Sequence, residues 1–294
     1  MDMPTDVQMR STFISATDPR FPARFSDLAV PPRALWVTGV APAETLGLVA
    51  MVGSRAASRR AAARTFDLAA ALAAAGWGVI SGGALGIDAA AHRGALAARG
   101  ATFAVLGCGI DIVYPDRHAG LFDEISAGGG GLLSEYGPGT PPRPGQFPAR
   151  NRLVAALARV VVVGEARGGS GALITARLAR TLGRPLLAIP GSAGTDALLA
   201  AGGALAVETA RDIMNALAGR PPAAPRTVPA AFQALVQALQ DGPAGAEAIA
   251  LRMGMSLPQT LGVLSEAELR GLVLRTAGAK FEAVKSRFEA SRGH

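Results

Sequence analysis

Three glycine- and serine-rich stretches have the residue types that bind phosphate. They include Gly53-Ser54-Arg55, the loop from Ser81 and Gly82 to Gly86, and Arg167 followed by Ser170-Gly171. Backbone N–H groups in such turns, hydroxyls and guanidinium groups all donate hydrogen bonds to anions. Each stretch follows a short apolar run, and glycine also occurs in such turns for purely conformational reasons. The coincidence of all three at one sheet edge is what predicts an anion-binding rim.

A fourth segment adds other chemistry. Phe147 offers an aromatic ring, Arg150 and Arg152 offer positive charge, and Asn151 offers an amide, all just before a predicted helix. Sites for single-stranded nucleic acid combine stacking rings with cations in this way. The alternative for this segment is the ordinary start of a surface helix.

Several catalytic and cofactor patterns are missing. The first turn reads GSRAAS and the second strand ends at Ser81 without an acid, so the dinucleotide fingerprint is absent. A phosphate-binding P-loop needs lysine, and the lysines here are Lys280 and Lys285. The serine of GGSGA has no glycine two places later, unlike a hydrolase nucleophile. Acid-base work would use Asp88, Glu135 or Glu165, yet each stands alone in the sequence, and Asp88 and Glu135 are read as caps or loop hydrogen-bond acceptors at least as readily as catalysts. We therefore predict no enzyme activity and no cofactor.

Metal and disulfide chemistry are also not expected. Cys108 is the one cysteine, and the three histidines (His92, His118 and His294) show no ligand spacing. Cys108 lies in the apolar run TFAVLGCG, which favours a small buried core residue over a reactive thiol.

The rim requires a parallel sheet, and the chain has the pattern for one. Short apolar runs alternate with helical patterns, which is typical of βαβ units. The fold class is thus α/β, with a doubly wound, mostly parallel Rossmann-like sheet and a small C-terminal winged-helix domain. The predicted strands are 48–53, 77–81, 102–107, 131–135, 160–166 and 185–191, and the predicted helices 58–75, 86–99, 119–127, 150–158, 171–183 and 209–218.

Five regions follow from this pattern. They are a short, irregular N-terminal extension (1–45) ending in the strand LWVTG, the Rossmann-like domain (46–219), a proline-rich linker (220–229), the winged helix (230–281) and a charged tail (282–294). The segment Leu257–Gly262, at the start of the predicted recognition helix, is mostly apolar. It favours protein contact or intramolecular packing over reading of duplex DNA.

Composition narrows the class of partner. Half of the residues are hydrophobic, 17% are charged and the formal net charge is +7, with a pI near 10.8. The positive charge fits a polyanion, although an arginine-rich composition also fits a GC-rich genome. No apolar run reaches the length of about 18 residues that a membrane span needs, and the N-terminus MDMPTDVQMRSTF lacks a signal-peptide pattern. We expect a cytoplasmic protein without a membrane partner.

Seven ordered motifs together resemble the DNA-processing protein A (DprA/Smf) family. They are MVGSR, SGGALGIDAAAHRGAL, AVLGCGIDIVYP, LLSEYGPGTPP, FPARNRLVAALA, VVVGEARGGSGALITA and AIPGSAGT, over roughly residues 18–218. The resemblance implies a non-enzymatic mediator that binds and protects single-stranded DNA, forms a homodimer and helps load the RecA recombinase during natural transformation.

The resemblance also assigns residues. The family's Gly-Ser-Arg turn corresponds to Ser54 and Arg55, and its Ser-Gly-x-x-x-Gly loop to Ser81, Gly82 and Gly86. Its Arg-Asn-Arg segment supplies Asn151 and Arg152, and its Ser-Gly-x-x-x-Thr stretch supplies Ser170, Gly171 and Thr175. Two positions depart from the family pattern: Leu85 stands where arginine is usual, and Gly169 where lysine is frequent. Fewer cations mean less phosphate neutralisation.

Two alternatives remain open on the same fold. Pro190–Thr195 resembles the PGGxGTxxE loop of the cytokinin-activating phosphoribohydrolases, but Ser192 replaces a glycine and Leu198 stands in place of the glutamate. The other alternative is a sensor of a small nucleotide that binds at the rim and signals through the winged helix.

Overall fold

The computed structural model describes residues 11–220, 230–269, 272–276 and 278–283. The chain divides into two compact units, Met1–Pro222 and Ala223–His294. The predicted linker, 220–229, lies outside the described residues except for Arg220, and so does the predicted tail from residue 284 onward.

The first unit is built on a nine-stranded sheet, which confirms the predicted mostly parallel α/β fold. Its strand order is β1-β2-β6-β5-β4-β3-β7-β8-β9, and β3 to β9 all run parallel. The strands are β1 (Thr12–Ser15), β2 (Ala34–Gly39), β3 (Leu48–Val52), β4 (Gly78–Ser81), β5 (Thr102–Val105), β6 (Gly131–Ser134), β7 (Val160–Val163), β8 (Leu186–Ala188) and β9 (Leu205–Ala206).

Helices cover both faces of this sheet. They are α1 (Arg59–Ala74), α2 (Ile87–Ala97), α3 (Ala119–Ala127), α4 (Gln146–Leu157), α5 (Gly171–Thr181), α6 (Ala193–Ala200) and α7 (Ala210–Leu217). In β3, Val49 and Met51 pack with α1, α2 and α7, whereas Ala50 and Val52 pack with α4 and α5. The central strands are therefore buried on both sides, which explains their continuous apolar sequence.

The direction of strand addition reverses next to β3. From β3 the chain adds β4, β5 and β6 on one side, and it then returns to add β7, β8 and β9 on the other. The loops after β3 and β7 leave in opposite directions at this point and open a crevice at the carboxyl ends of the strands. The strand order thus places any ligand site between these two loops.

The N-terminal region contributes more to the sheet than its sequence indicates. β2, the predicted strand LWVTG, pairs antiparallel with β6, and β1 pairs antiparallel with β2. A 3-10 helix, Ala23–Asp27, lies between them and buries Phe25. The proline-rich composition had predicted an irregular segment here; instead Ile14, Leu35 and Val37 join the main core.

Two further differences concern helices. α4 begins at Gln146 rather than 150, so Phe147 and Arg150 lie in its first turns, where Pro148 is tolerated because the first N–H groups of a helix have no internal partner. α6, which was not predicted, begins with a reciprocal capping box between Ser192 and Thr195.

The second unit is a small winged helix. It contains α8 (Ala230–Ala238), β10 (Ala244–Gly245), α9 (Ala246–Met253), α10 (Leu257–Leu269), β11 (Val273–Thr276) and β12 (Lys280–Ala283). The strands form an antiparallel sheet in the order β10-β12-β11. Its own core includes Phe232, Leu235, Ile249, Leu264 and Phe281. None of the helices described in either unit has the length and apolar character needed to cross a membrane.

Candidate functional site

A cavity of about 260 Å³ opens at the strand-order reversal. It brings together residues from the loops after β3, β4 and β7 and from the first turns of α4 and α5. The residues that line it are Val52, Gly53, Ser54, Arg55, Gly82, Ala84, Asp88, Phe147, Pro148, Arg150, Asn151, Val154, Arg167, Ser170, Gly171, Ala172 and Thr175.

Backbone hydrogen bonds join the loops that form the cavity. The Ser54 N–H donates to the Glu165 carbonyl at 2.8 Å, and the Ile87 N–H donates to the Ser54 carbonyl at 3.2 Å. Gly86 has φ +78°, and a Cβ there would lie 2.2 Å from the Ser54 carbonyl oxygen. Gly86 is therefore required for the close approach of two loops, and this explains its position without any contact to a ligand.

The N-terminus of α5 is open at the cavity. Ser170 is the N-cap residue, yet its side chain makes no capping hydrogen bond, and its buried Oγ has no partner among the described residues. Gly171 and Ala172 follow in the first turn, and the buried Thr175 lies one turn further along the same side. Unpaired N–H groups and the helix dipole make such a terminus a site for an anion.

The N-terminus of α1, in contrast to that of α5, is already capped by protein side chains. Ser58 caps it by accepting from the Ala61 N–H at 3.2 Å. The Glu165 carboxylate accepts from the Ser58 N–H and from the Ser58 hydroxyl, at 3.1 and 2.6 Å. Glu165 is thus used as a helix-terminus acceptor.

Asp88 organises the loop after β4. Its carboxylate is buried and accepts from the N–H groups of Gly82 and Ala84, at 3.1 and 3.2 Å. Burial raises the pKa of Asp88, and the nearby Arg150 charge opposes that rise. The prediction that this acid hydrogen-bonds a neighbouring loop is confirmed.

Arg150 is also buried, with 4% of its surface exposed. Its Nη1 donates to the carbonyls of Gly82 and Val105, and its Nε donates to Asn151 Oδ1 at 3.2 Å. Burial lowers the pKa of Arg150, with Asp88 acting in the opposite direction. The sequence predicts Arg150 as a DNA-binding cation; the structure directs its guanidinium to acceptors within the protein.

Besides Gly86, two other predicted residues, Ser81 and Arg152, lie outside the cavity lining. The Ser81 hydroxyl is buried and donates to the Met51 carbonyl at 2.6 Å, so it ties β4 to β3. Arg152 forms a two-pronged ion pair with Glu135, at 3.0 and 2.7 Å. Sequence spacing does not show which way a side chain points, and both residues have their donors directed at protein acceptors.

An aromatic cluster adjoins the cavity. The Arg55 guanidinium lies 5.4 Å from the centre of the Phe147 ring. The centre of the Tyr114 ring lies 5.1 Å from the centre of the same Phe147 ring. A smaller cavity of about 70 Å³ forms here, and the exposed Leu85 lines it together with Leu106, Tyr114, Pro115 and Phe147. Tyr114 was not selected from the sequence; the only signal was an aromatic residue within the motif AVLGCGIDIVYP.

The remaining side chains that bear on the chemistry of the site are a buried thiol and two arginines. Cys108 is buried, and burial raises the pKa of its thiol to about 11. Among the described residues no cluster of His, Cys, Asp or Glu is arranged to hold a metal ion. Arg55 and Arg167 are the cavity-lining cations with exposed side chains.

Comparison with known proteins identifies relatives for both units. The model of the DNA recombination-mediator protein A family matches residues 12–218, and that of the DprA winged helix domain matches residues 219–279. A putative DNA processing protein DprA of Mycobacterium tuberculosis is 43% identical over 259 residues, which cover 82% of this chain and 66% of that protein. Protein Smf of Escherichia coli K12 is 34% identical over 264 residues, covering 84% and 71%. This chain therefore spans about two thirds of the length of these relatives.

Solved structures agree with this. DNA processing protein A from Helicobacter pylori, described for its single-stranded DNA binding mode, superposes with a TM-score of 0.66 at 33% identity, over 72% of this chain and 97% of the other. DNA processing protein A from Streptococcus pneumoniae superposes with a TM-score of 0.64 at 38% identity, over 71% and 74%.

Proposed function

Because the chain belongs to the DNA recombination-mediator protein A family, we propose that it binds single-stranded DNA along the carboxyl edge of its parallel sheet. The observation that carries this proposal is the cavity at the strand-order reversal. It has an open helix N-terminus with an unpartnered hydroxyl at Ser170, two exposed arginines, and an aromatic cluster beside it.

The two neighbouring cavities match the two parts of a nucleotide. A phosphate at the first turn of α5 would receive hydrogen bonds from backbone N–H groups and from Ser170, with Arg55 and Arg167 as counter-charges. A base beside it would stack on Phe147 or Tyr114, which is how sequence-tolerant sites hold single strands. Duplex DNA keeps its bases stacked inside, so this arrangement favours single strands.

The predicted contact residues divide into two groups on this proposal. Side chains and backbone that line the cavity with free donors or an exposed surface contact the strand: Gly53, Ser54, Arg55, Phe147, Asn151, Arg167, Ser170, Gly171 and Thr175. Ser81, Gly82, Gly86 and Arg150 shape the loops instead. Arg152, held by Glu135, contributes little attraction to a phosphate because its charge is paired.

The biological role that we propose is protection of incoming single-stranded DNA and assistance in loading RecA during natural transformation, by a cytoplasmic homodimer without catalytic turnover. The description of the family as recombination mediators supports it. Absence of turnover is supported by Asp88, Glu135 and Glu165, each of which is engaged with protein donors. The homodimer is proposed to form through the first unit, although Ile213, Met214 and Leu217 on α7 already pack against the core of that unit.

Fluorescence anisotropy with a labelled oligo-dT strand tests the binding proposal. We expect binding that weakens steeply with salt and resists duplex competitor. Arg55→Ala should weaken it about tenfold, the value of a lost charge-assisted hydrogen bond. Arg159→Ala is the matched control, because Arg159 is exposed and precedes β7, at the opposite edge of the sheet. Equal affinity of the two variants, or no binding at low salt, would contradict the proposal.

A small nucleotide is the second candidate ligand, since the same cavity offers a phosphate site next to rings. A thermal-shift screen with nucleotides would detect it, because a ligand that binds only the folded state raises stability. The phosphoribohydrolase alternative has less support. Leu198, in place of the glutamate, packs against the core, so this position offers no acid-base group.

A further inference from the structure

We propose that Arg150 is a positioning residue of the single-stranded DNA site, one that holds Gly82 and Asn151 in their binding geometry without touching phosphate. This inference rests on the proposed binding function. It differs from a direct ionic role for the Arg-Asn-Arg segment, in which Arg150 would neutralise a phosphate.

The first support is the way Arg150 holds the ends of two strands. Its Nη1 donates to the carbonyl of Gly82, just after β4, and to that of Val105, the last residue of β5. Arg150 itself lies on α4, so one guanidinium joins a helix to two adjacent strand ends. These are the strand ends from which the loops of the site emerge.

Gly82 is fitted to this guanidinium. A Cβ at Gly82 would lie 2.5 Å from Nη2 and 2.6 Å from Cζ of Arg150, so the planar group packs against the bare Cα. The opposite side of the same residue is also held, because the Gly82 N–H donates to Asp88. The loop is continued by Gly83, whose carbonyl accepts from buried His118 at 2.9 Å. Each of these contacts restricts the loop that lines both cavities.

Asn151 is oriented by the same residue. Arg150 Nε can only donate, so the Asn151 atom facing it, 3.2 Å away, is the amide oxygen. The amide nitrogen then points to the Gly171 carbonyl at 3.4 Å, in the first turn of α5 beside the cavity. Without Arg150, the amide is free to turn its oxygen toward the cavity and repel a phosphate.

The charge of Arg150 is balanced inside the protein. A buried guanidinium needs an opposite charge and acceptors for its donors. Asp88 is the buried acid that interacts with it electrostatically, and three protein oxygens take its hydrogen bonds. Because the guanidinium is buried and donates to protein oxygens, we infer that its effect on DNA is geometric.

The test compares Arg150→Lys, Arg150→Gln and Gly82→Ala in the full chain, by oligo-dT anisotropy across a salt series. Lysine keeps the charge but cannot reproduce the planar fork. We expect all three variants to bind at least about fivefold more weakly, with the log–log salt slope of the wild type. Arg167→Ala is the reference for a lost phosphate contact and should reduce the slope by about 0.7.

Coupling to Asn151 separates positioning from general stabilisation. Asn151→Ala should weaken binding in the wild type but add little in the Arg150→Lys background, because the amide is already misplaced there. Affinities are measured only where circular dichroism shows a folded chain. If the Arg150 variants do not fold, Gly82→Ala, which retains every charge, decides the matter.

Three results would overturn the inference: wild-type affinity in Gly82→Ala, near wild-type binding by Arg150→Lys, or a slope reduced by about 0.7 in Arg150→Gln. If the wild type binds oligo-dT strongly and these variants bind it with the same affinity, only the positioning role of Arg150 is contradicted. If the wild type itself does not bind oligo-dT at low salt, the proposed function fails and the inference with it.

Discussion

The two units of the chain differ in how they are equipped to meet a phosphate. Residues 11–220 contain 20 Lys and Arg against 14 Asp and Glu, whereas residues 230–283 contain 4 against 5. The first unit also has an open helix N-terminus in α5, lined by Arg55 and Arg167. In the winged helix, α10 has no Lys or Arg and includes Glu266 and Glu268.

The start of α10 makes the contrast sharper. Leu257 and Leu261 are exposed where a duplex-reading helix would present polar side chains. Gln259, the nearest amide, uses its oxygen to accept from the N–H and hydroxyl of Ser256 as a helix cap. A winged-helix fold therefore does not by itself imply duplex reading. We predict that this face serves protein contact or intramolecular packing.

The largest expected effect comes from placing one carboxylate in each unit. Gly171→Asp adds a negative charge at the open N-terminus of α5, where a Cβ meets nothing within 4 Å. An acid at this position suits the helix but repels phosphate, so oligo-dT binding should fall by about 100-fold. Anisotropy titration measures this effect.

Gly262→Asp is the matched control on α10, because Gly262 is exposed and equally uncrowded. It should bind oligo-dT like the wild type. A similar loss in both variants would show that strand binding is not confined to the first unit.

A single arginine removed from each unit should have a smaller effect. Arg167→Ala is expected to weaken oligo-dT binding about tenfold, since one phosphate contact is lost. Arg275→Ala, on β11, should change it less than about twofold, because that guanidinium already lies near Glu268 and over the Phe281 ring. Anisotropy at two salt concentrations measures the oligo-dT affinity of both variants. A larger loss of affinity in Arg275→Ala than in Arg167→Ala would show that the first unit is not the main site of strand binding.

Adding a cation tests the departure at Leu85. Leu85 is 38% exposed beside the smaller cavity, so Leu85→Arg should strengthen binding about three- to tenfold and steepen the salt slope by about 0.7. Leu274→Arg on β11 adds the same charge to an exposed site in the other unit. Competition with unlabelled oligo-dT compares the affinities of the two variants. An equal increase in affinity in both would mean that net charge, rather than the position of the new arginine, governs binding.

The last prediction concerns acid stability. Thr102 Oγ1 donates to the Val79 carbonyl, so His92 Nδ1 donates to Thr102 and Nε2 has no partner in its buried position. Burial lowers the pKa of His92 to about 3, whereas an unfolded histidine titrates near 6.5. The unfolded state therefore binds one more proton between these values, and stability present above pH 6.5 is lost as the pH falls toward 3.

His92→Gln should reduce this loss by as much as about 1.4 kcal/mol per pH unit. Urea unfolding at pH 7 and pH 5 measures it, relative to the stability of each variant at pH 7. The described part of the winged helix contains no histidine, so its own unfolding should lack this contribution. An unchanged pH dependence in the variant would refute the role of His92.

Much of the fold follows from local pattern. The continuous apolar runs of β3, β4, β5, β6 and β7 are short, bounded by glycine and separated by helical periodicity, and each lies within its predicted range. β9 has two residues, too few for a periodic signal, and it was missed. α6 was also missed, because its apolar residues are much less segregated to one face than those of the equally long α7. The antiparallel pairing of β1 depends on β2 and β6, which are distant in sequence, so no local signal could indicate it.

For the site, residue types and strand ends were sufficient to select the loops that line the cavity. Gly53, Ser54, Arg55, Asn151, Ser170 and Gly171 meet there because the carboxyl ends of parallel strands share one edge. What only the tertiary structure decided is which donors remain available to a ligand. Ser81, Arg150 and Arg152 were equal candidates in sequence, but each has been turned toward a carbonyl or carboxylate of the protein. The reason is that buried polar groups must find partners, and those partners come from distant parts of the chain.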